Sequence, residues 1–293
     1  RRYADWSLLD ELGADEPRSR LGETAIAQPA LFALQVALAD LWRAWGIVPD
    51  AVVGHSMGEV AAACVAGVLD LEDAVRIIFH RSRLMQQATG RGKMAAVTLS
   101  PEDAQRALAG YEGRVGVASI NSPTSVVLSG EPGALDEILR SLEQRGIPSR
   151  FLPVNYAFHS HQMEPFLGEM TEALQGYRPR SASCPIFSTV TGTACDGLDF
   201  GVGYWRRNVR EPVRFASAID ALARDGHEVF LELSPHPTLV GAIAQCLSAC
   251  RKEGDALPSL RCGEEDGTVM LGSLGALHVL GYPVDWARLQ PTR

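Results

Sequence analysis

Apolar positions along the chain switch between helical spacing and short strand-like runs. Residues 29–45 place them three or four positions apart and end at Gly46, which predicts a buried helix. Residues 70–88 predict a second helix by the same spacing. The short apolar run at residues 51–53 lies between the two helices and predicts a strand.

A compact alternation of short elements follows these helices. The pattern predicts, in order, strand 94–99, helix 101–109, strands 115–120 and 125–129, helix 133–145 and strand 150–154. This βαββαβ order is the split βαβ, or ferredoxin-like, unit. It predicts a small subdomain inserted into a larger α/β body.

The body resumes after the insertion. The pattern predicts helix 163–175, strand 186–190, a polar connector at 204–215, a helix ending at 223, strand 229–233, helix 239–249 and helix 269–280.

Three units follow from this organisation. A discontinuous large subdomain takes residues 1–92 and 158–250, and the ferredoxin-like small subdomain takes residues 93–157. From residue 251 the long apolar periods are lost until the final helix, so residues 251–293 are expected to be a linker.

The composition is that of a globular protein, with 46% hydrophobic and 21% charged residues in 293. A net charge of −8 and the lack of a Lys/Arg-rich run argue against nucleic acid as a partner. No apolar stretch approaches the roughly 20 residues of a membrane span, and no signal-peptide core is present, so we expect a cytoplasmic location and no membrane partner. The six cysteines lack metal-ligand spacing, which predicts reduced thiols and no metal site.

The segment Gly54-His55-Ser56-Met57-Gly58 follows the first predicted strand and precedes a run of small residues. Its glycines leave room for a sharp turn that projects the serine hydroxyl, as in the nucleophile elbow of an α/β-hydrolase-like body with a parallel sheet. The Met57 amide, at a helix N-terminus, is the natural first oxyanion donor.

A serine nucleophile needs a base, and His159 follows the last strand of the insertion, where it can face Ser56. His161 is two residues further on, and an arbitrary histidine is more often a surface or core residue. Arg81 lies in an otherwise apolar helix. It belongs to a solvated face, forms an internal ion pair, or binds a substrate carboxylate.

Segments along nearly the whole chain match one family in order. They are residues 28–30, 54–59, 81–85, 121–123, 156–160, 204–205, 208–210, 212–215 and 232–237. The chain thereby resembles the malonyl-type acyltransferase domains of modular and iterative type I polyketide synthases, which are related to malonyl-CoA:acyl-carrier-protein transacylases. Residues 257–261 and 283–286 are similar to the family's post-acyltransferase linker.

The resemblance implies the chemistry. Ser56 takes an extender unit from coenzyme A as an ester, and His159 deprotonates first this serine and later the phosphopantetheine thiol of an acyl carrier protein. A main-chain carbonyl, matched to Asn208, orients the histidine. Arg81 pairs with the free carboxylate of the extender unit.

The resemblance also implies the surroundings of the site. Gln28, His55 and Asn121 line the pocket as substrate contacts. No tightly bound cofactor is implied, and the partners are the acyl carrier protein and a ketosynthase domain of the same polypeptide. The family's Gly-Gln-Gly turn, which completes the oxyanion hole, has no counterpart in the sequence. We therefore expect a fragment of a larger polypeptide, a numbering that omits leading residues, or an impaired chain.

Two other functions stay open from the residues. A serine esterase or thioesterase shares the elbow, but normally supplies an acidic residue before its histidine and delivers the acyl group to water. A non-catalytic, truncated docking domain is the second. Arg81 and the insertion argue against the first, and intact Ser56 and His159 against the second.

The extender unit is expected to be malonyl, with methylmalonyl as the alternative. In the resembled family, bulk just before the catalytic histidine accompanies malonyl, whereas serine there with a leading tyrosine accompanies methylmalonyl. The tetrad here ends Phe158-His159 and begins with Tyr156, so it is a hybrid. Phe158 favours malonyl because its ring occupies the space that an α-methyl group needs.

Overall fold

The computed structural model describes residues 3–289. Up to residue 92 its elements are α1 (Leu8–Leu12), a 3₁₀ turn (Glu16–Arg18), α2 (Thr24–Ala44), β1 (Val52–Val53), α3 (Gly58–Val65) and α4 (Leu71–Gln86). The Asp70 side chain accepts from the Asp73 amide at 2.8 Å and caps α4, so the helix begins where the sequence predicts.

The predicted insertion contains all six expected elements. They are β2 (Lys93–Val97), α5 (Pro101–Ala107), β3 (Val115–Ser122), β4 (Ser125–Gly130), α6 (Pro132–Gln144) and β5 (Ser149–Phe151). The strands form an antiparallel sheet in the order β3-β4-β2-β5, which is the ferredoxin-like arrangement. Residues such as Ala95, Leu128 and Ile138 form its buried core between the sheet and the two helices.

The body continues after this sheet. Its elements are a 3₁₀ turn (His161–Phe166), α7 (Leu167–Ala173), β6 (Ile186–Ser188), β7 (Thr193–Cys195), a 3₁₀ turn (Gly197–Asp199), α8 (Val202–Arg210), α9 (Phe215–Arg224), β8 (Val229–Glu232), α10 (Val240–Ala249), β9 (Asp255–Pro258), α11 (Asp266–Val279) and a 3₁₀ turn (Trp286–Leu289). β1 pairs parallel with β6, and β8 pairs parallel with β9. The predicted α/β class with a parallel sheet is thus confirmed, while the hairpin strand β7 was not predicted.

One prediction for the body is wrong. The expected polar connector at 204–215 is largely α8, because Tyr204, Trp205 and Val209 bury one face of a helix whose arginines face outward. Over its described part, the expected linker at 251–293 packs against the body through β9 and α11, and its assignment as a linker stays a prediction. Residues 1–2 and 290–293 of the predicted units lie outside the described residues.

Helix α2 is longer and more apolar than the sequence argument allowed. It has 21 residues and a mean hydropathy of 1.4 in its most apolar window, so by length and composition alone it could cross a membrane. In the structure Phe32 belongs to the core formed with α3 and α4, and Trp42 packs against Leu274 of α11. One side of the helix packs into the core of the body, and 39% of its most apolar window is buried.

The small subdomain is joined to the body at two places. The connecting segments at 88–93 and 152–157 run side by side, with the Gly90 amide donating to the Asn155 carbonyl at 2.6 Å. At the opposite edge, the Ile120 amide donates to the Val213 carbonyl and the Val213 amide to the Ala118 carbonyl, each at 2.9 Å. The second joint brings the end of β3 next to the predicted site.

Candidate active site

The elbow around Ser56 is a sharp strand-to-helix turn. β1 ends at Val53 and α3 begins at Gly58, so Ser56 lies between them. Its φ is +54°, in the left-handed region that non-glycine residues rarely occupy outside functional sites. The Met57 amide lies at the N-terminus of α3 and donates to no acceptor within residues 3–289. It remains available to a developing oxyanion.

Only one of the two glycines around the serine lies so close to neighbouring main chain that a side chain would not fit. A Cβ at Gly54 would lie 2.2 Å from the Glu59 amide nitrogen. A Cβ at Gly58 would meet nothing nearer than Gln35 Nε2, at 3.7 Å. The sequence argument assigned the room for the turn to both glycines, but the structure needs it only at Gly54.

Gly54→Ala is therefore expected to lower the free energy of unfolding by about 3 kcal/mol or more, since the clash is with main chain that cannot rotate away. Gly58→Ala is the matched control. It should leave stability unchanged or raise it by up to about 1 kcal/mol, because alanine favours the helix that begins there. Chemical denaturation of both variants measures the difference. Equal stability of the two would contradict the close packing at Gly54.

His159 reaches the serine from the loop that follows the small subdomain. Its Nε2 lies 2.8 Å from Ser56 Oγ, and its Nδ1 lies 2.9 Å from the Glu211 carbonyl oxygen. Because a carbonyl only accepts, Nδ1 carries the proton and Nε2 accepts from the serine hydroxyl. Like Ser56, His159 has a left-handed φ, here +56°.

The prediction that the Asn208 carbonyl orients this histidine is wrong. Asn208 lies inside α8, whereas Glu211 follows the end of that helix with an extended backbone (φ −84°, ψ 158°). Pro212 imposes such an extended conformation on the residue before it, which turns the Glu211 carbonyl out of the helix. Because this orienting group is not a carboxylate, the geometry differs from the acidic triad of an esterase.

Burial, together with the nearby positive charge of Arg81, lowers the pKa of His159 to about 3, and the hydrogen bond to the Glu211 carbonyl offsets this only in part. The imidazole is therefore neutral at physiological pH, which is the form that can accept a proton. His161, the neighbouring histidine, opens the 3₁₀ turn His161–Phe166 and forms no hydrogen bond to the described residues. The structure thus distinguishes between the two candidates.

Arg81 is 1% exposed and extends from α4 to the nucleophile. Its Nε donates to Asn208 Oδ1 at 3.0 Å, one terminal nitrogen donates to Gln28 Oε1 at 2.6 Å, and the other donates to Ser56 Oγ at 2.9 Å. Burial lowers its pKa to about 10, while the negative charge of Glu59 opposes that change. The guanidinium therefore stays charged at neutral pH. Within residues 3–289 no carboxylate contacts it directly, so the solvated-face and direct ion-pair interpretations do not describe it.

The remaining predicted pocket residues fall into two groups. His55 Nε2 lies 2.8 Å from Asn121 Oδ1, and this contact joins the elbow to the end of β3. Burial lowers the pKa of His55, so this ring is also neutral. Gln28 lies deeper, where its amide contacts Arg81 and Met85.

A cavity of about 1180 Å³ opens at the elbow. Ser56 and His159 line it, as do Tyr156 and Phe158, whose rings stack with centroids 3.7 Å apart and an 11° interplanar angle. The face of the small sheet that α5 and α6 leave uncovered forms another wall, which includes Ala96. An elongated substrate therefore has room between the two subdomains.

Sequence reasoning missed Glu59, Tyr204 and Glu211. Glu59 is 1% exposed, and its only sequence signal is an acidic residue in an apolar small-residue run. Tyr204 is buried and donates to Glu59 at 2.8 Å. Glu211 acts through its main chain, so only its position before Pro212 could have indicated it.

Residues 3–289 contain no group of three or more His, Cys, Asp or Glu side chains that could hold a metal ion. All six cysteines are free thiols.

The chain matches the family described as "Acyl transferase domain" over residues 1–283. It is 45% identical over 292 residues to the spectinabilin polyketide synthase system protein NorC of Streptomyces orinoci, covering 99% of this chain and 13% of that protein. The chain thus spans about one eighth of this curated relative.

Solved structures are similar over almost the full chain. The acyltransferase domain from module 8 of the salinomycin polyketide synthase has a TM-score of 0.95 and 39% identity, covering 98% of this chain and 68% of that one. The acyltransferase domain of SpnD, solved in complex with 2-(pent-4-yn-1-yl)malonyl, has a TM-score of 0.82 and 30% identity, covering 94% and 68%.

Proposed function

The chain belongs to the acyltransferase domain family of polyketide synthases, and on this basis we propose that it loads malonyl units. The group passes from coenzyme A to Ser56 and then to the phosphopantetheine thiol of an acyl carrier protein. One observation carries the proposal: Ser56 Oγ lies 2.8 Å from a neutral histidine and 2.9 Å from a buried arginine.

In the first half-reaction Ser56 Oγ attacks the thioester carbonyl carbon and its proton passes to His159 Nε2. The Met57 amide and the positive end of α3 stabilise the oxyanion. The carbon–sulfur bond then breaks, and His159 returns the proton to the departing coenzyme A thiolate. The product is malonyl-Ser56.

The second half-reaction uses the same groups in reverse. His159 takes the proton of the incoming phosphopantetheine thiol, and the thiolate attacks the serine ester. The carbon–oxygen bond to Ser56 breaks, and the proton on His159 restores the serine hydroxyl. Throughout, the Glu211 carbonyl holds Nδ1 protonated, so Nε2 is the atom that exchanges the proton.

Arg81 is proposed to recognise the carboxylate of the malonyl group. A guanidinium has five N–H donors, and three of those in Arg81 have acceptors in Asn208, Gln28 and Ser56. The other two have none in the described part of the chain, and two is the number that a bidentate carboxylate accepts. The malonyl ligand bound to the related SpnD domain carries such a carboxylate.

Intact-mass measurement tests this function. The protein is incubated with malonyl-CoA, then with a holo acyl carrier protein or with buffer alone. Acyl-transferase activity predicts a malonyl adduct that persists in buffer and moves to the carrier protein when it is added. Rapid loss of the adduct to water without transfer would indicate a thioesterase, and no adduct at all would indicate a non-catalytic domain.

Malonyl-CoA is expected to be preferred over methylmalonyl-CoA by about 10- to 200-fold in kcat/KM, the range that one methyl group provides in an apolar pocket. The stacked Phe158 and Tyr156 rings support one another, so Phe158 is not free to yield space to an α-methyl group. Direct competition between the two donors measures the ratio. A preference for methylmalonyl-CoA would show that Tyr156, and not Phe158, determines selectivity for the extender unit.

The substrates bear on partners and location. Acyl-CoA is the donor, and the only prosthetic group is the phosphopantetheine of the carrier protein. The ketosynthase domain of the same polypeptide is the proposed neighbour, and neither nucleic acid nor a membrane is required. Because both donor and carrier occur in the cytoplasm, we place the reaction there.

A further inference from the structure

A buried acid lies directly beneath the elbow and takes no part in the mechanism above. Glu59 Oε1 accepts from the Thr189 amide at 2.5 Å and from the Tyr204 hydroxyl at 2.8 Å. Its Oε2 accepts from Asn208 Nδ2 at 2.7 Å. Burial at this depth is costly for a carboxylate unless its partners supply hydrogen bonds.

The partners of Glu59 indicate its charge. The Thr189 amide can only donate a hydrogen bond. The Tyr204 hydroxyl can donate to Glu59 when Ser188 Oγ donates to the Tyr204 oxygen. Burial raises the pKa of Glu59, whereas these donors lower it. The Tyr204 hydroxyl is the one group here that could accept a proton from Glu59, by donating to Ser188 Oγ instead. The Thr189 amide, the Asn208 amide nitrogen and the nearby charge of Arg81 favour the ionised acid.

Glu59 and the Ser56 carbonyl together fix which way the Asn208 amide faces. Asn208 Nδ2 donates to Glu59 and, at 3.0 Å, to the Ser56 carbonyl oxygen. With Nδ2 held on these two acceptors, Oδ1 must face Arg81 Nε, from which it accepts at 3.0 Å. One amide thus connects the acid, the serine turn and the guanidinium.

We propose that Glu59 is a positioning residue for recognition of the substrate carboxylate, acting through Asn208. Its negative charge offsets the buried positive charge of Arg81, and it holds the amide orientation that aims the guanidinium at the site. The inference rests on the proposed function, because it needs Arg81 to bind an acyl carboxylate. It predicts that Glu59 contributes more to malonyl transfer than to acetyl transfer.

Glu59→Gln is the direct test. The variant removes the charge and sets a glutamine amide against Asn208 Nδ2, which weakens the hold on the Asn208 amide that positions Arg81 Nε. The ratio of kcat/KM for malonyl-CoA to that for acetyl-CoA is expected to fall about 10- to 100-fold, as for a lost hydrogen bond to a charged group. Both donors are measured on the same preparation, so the fraction of folded protein cancels from the ratio.

Two further variants separate positioning from general damage to the cluster. Tyr204→Phe removes another contact of Glu59 but keeps the acid and the Asn208 amide, so it should destabilise the protein and leave the ratio within about twofold of wild type. The double variant Glu59→Gln/Asn208→Asp moves the acid next to Arg81 Nε, where the introduced glutamine amide donates to it, and it loses the hydrogen bond to the Ser56 carbonyl. It should recover at least about tenfold of the lost ratio, since a hydrogen bond to a charged group is restored.

The outcomes distinguish the two proposals. If wild type forms no malonyl adduct, the proposed function fails. If wild type is active but Glu59→Gln lowers kcat/KM equally for malonyl-CoA and acetyl-CoA, the positioning role is overturned. The role is also overturned if Tyr204→Phe shifts the ratio as much as Glu59→Gln. Should Glu59→Gln fail to fold, the double variant decides: a near-wild-type ratio supports the role, and a ratio as low as that of Arg81→Ala contradicts it.

Discussion

Ser56→Ala is expected to abolish self-acylation, with a loss of about 10⁴-fold or more in acyl transfer. The hydroxyl is the acceptor of the acyl group and contacts both His159 and Arg81, so no neighbouring atom can replace it. His159→Ala should cost nearly as much, since the nucleophile and its base act as a unit. Intact mass after incubation with malonyl-CoA, followed by peptide mapping of the adduct, measures the effect.

The control for the histidine is His161→Ala. That residue lies two positions further on, outside the hydrogen bonds of the site, and its loss should leave the rate within about twofold of wild type. The double variant Ser56→Ala/His159→Ala should be no worse than either single variant. An adduct mapped to any residue other than Ser56 would show that Ser56 is not the acylated nucleophile.

Arg81→Ala is expected to lower malonyl transfer by at least about 100-fold while sparing or raising activity with acetyl-CoA. A charge-assisted bidentate contact with the carboxylate is lost, and that contact is about twice as strong as one between neutral groups. Acetyl-CoA has no carboxylate, so its transfer does not depend on the contact. The measurement is kcat/KM for both donors.

Arg81 also has structural contacts, which the comparison of donors separates from recognition. The side chain is 1% exposed and donates to Asn208, Gln28 and Ser56, so the variant is expected to lose stability. Such a loss acts on both donors alike. Arg83→Ala, at an exposed ion pair with Glu169, is the matched arginine control and should leave kcat/KM for both donors unchanged. An equal fall for both donors in Arg81→Ala would make Arg81 purely structural.

Local sequence was sufficient to predict the elements with strong periodic signals. The ferredoxin-like insertion was predictable because each strand and helix carries its own apolar pattern, and consecutive elements pair or pack together. The elbow was predictable because Gly54 and Ser56 form a short motif whose geometry is local. The subdomain boundaries stay a prediction.

The elements that were missed are those whose burial depends on distant partners. Helix α8 was missed because its arginines and Asn208 obscure its apolar stripe, and Asn208 is buried only where it meets Glu59 and Arg81. The packing of the final segment against the body was not predicted because the partners of β9 and α11 lie elsewhere in the chain. Trp42, for example, donates to Ser259, which is 217 residues away.

The order of amino acids alone established which reactive side chains are present: a serine in an elbow, a histidine after the insertion and an arginine in an apolar helix. What holds these side chains in place was settled by tertiary contacts. His159 is oriented by the Glu211 main chain, and every residue has a carbonyl, so residue type could not identify it. The orientation of Asn208 and Arg81, and the environment of the Glu59 carboxyl group, depend on hydrogen bonds between segments far apart in the chain. These hydrogen bonds form only when folding brings the segments together and removes water from around the three side chains.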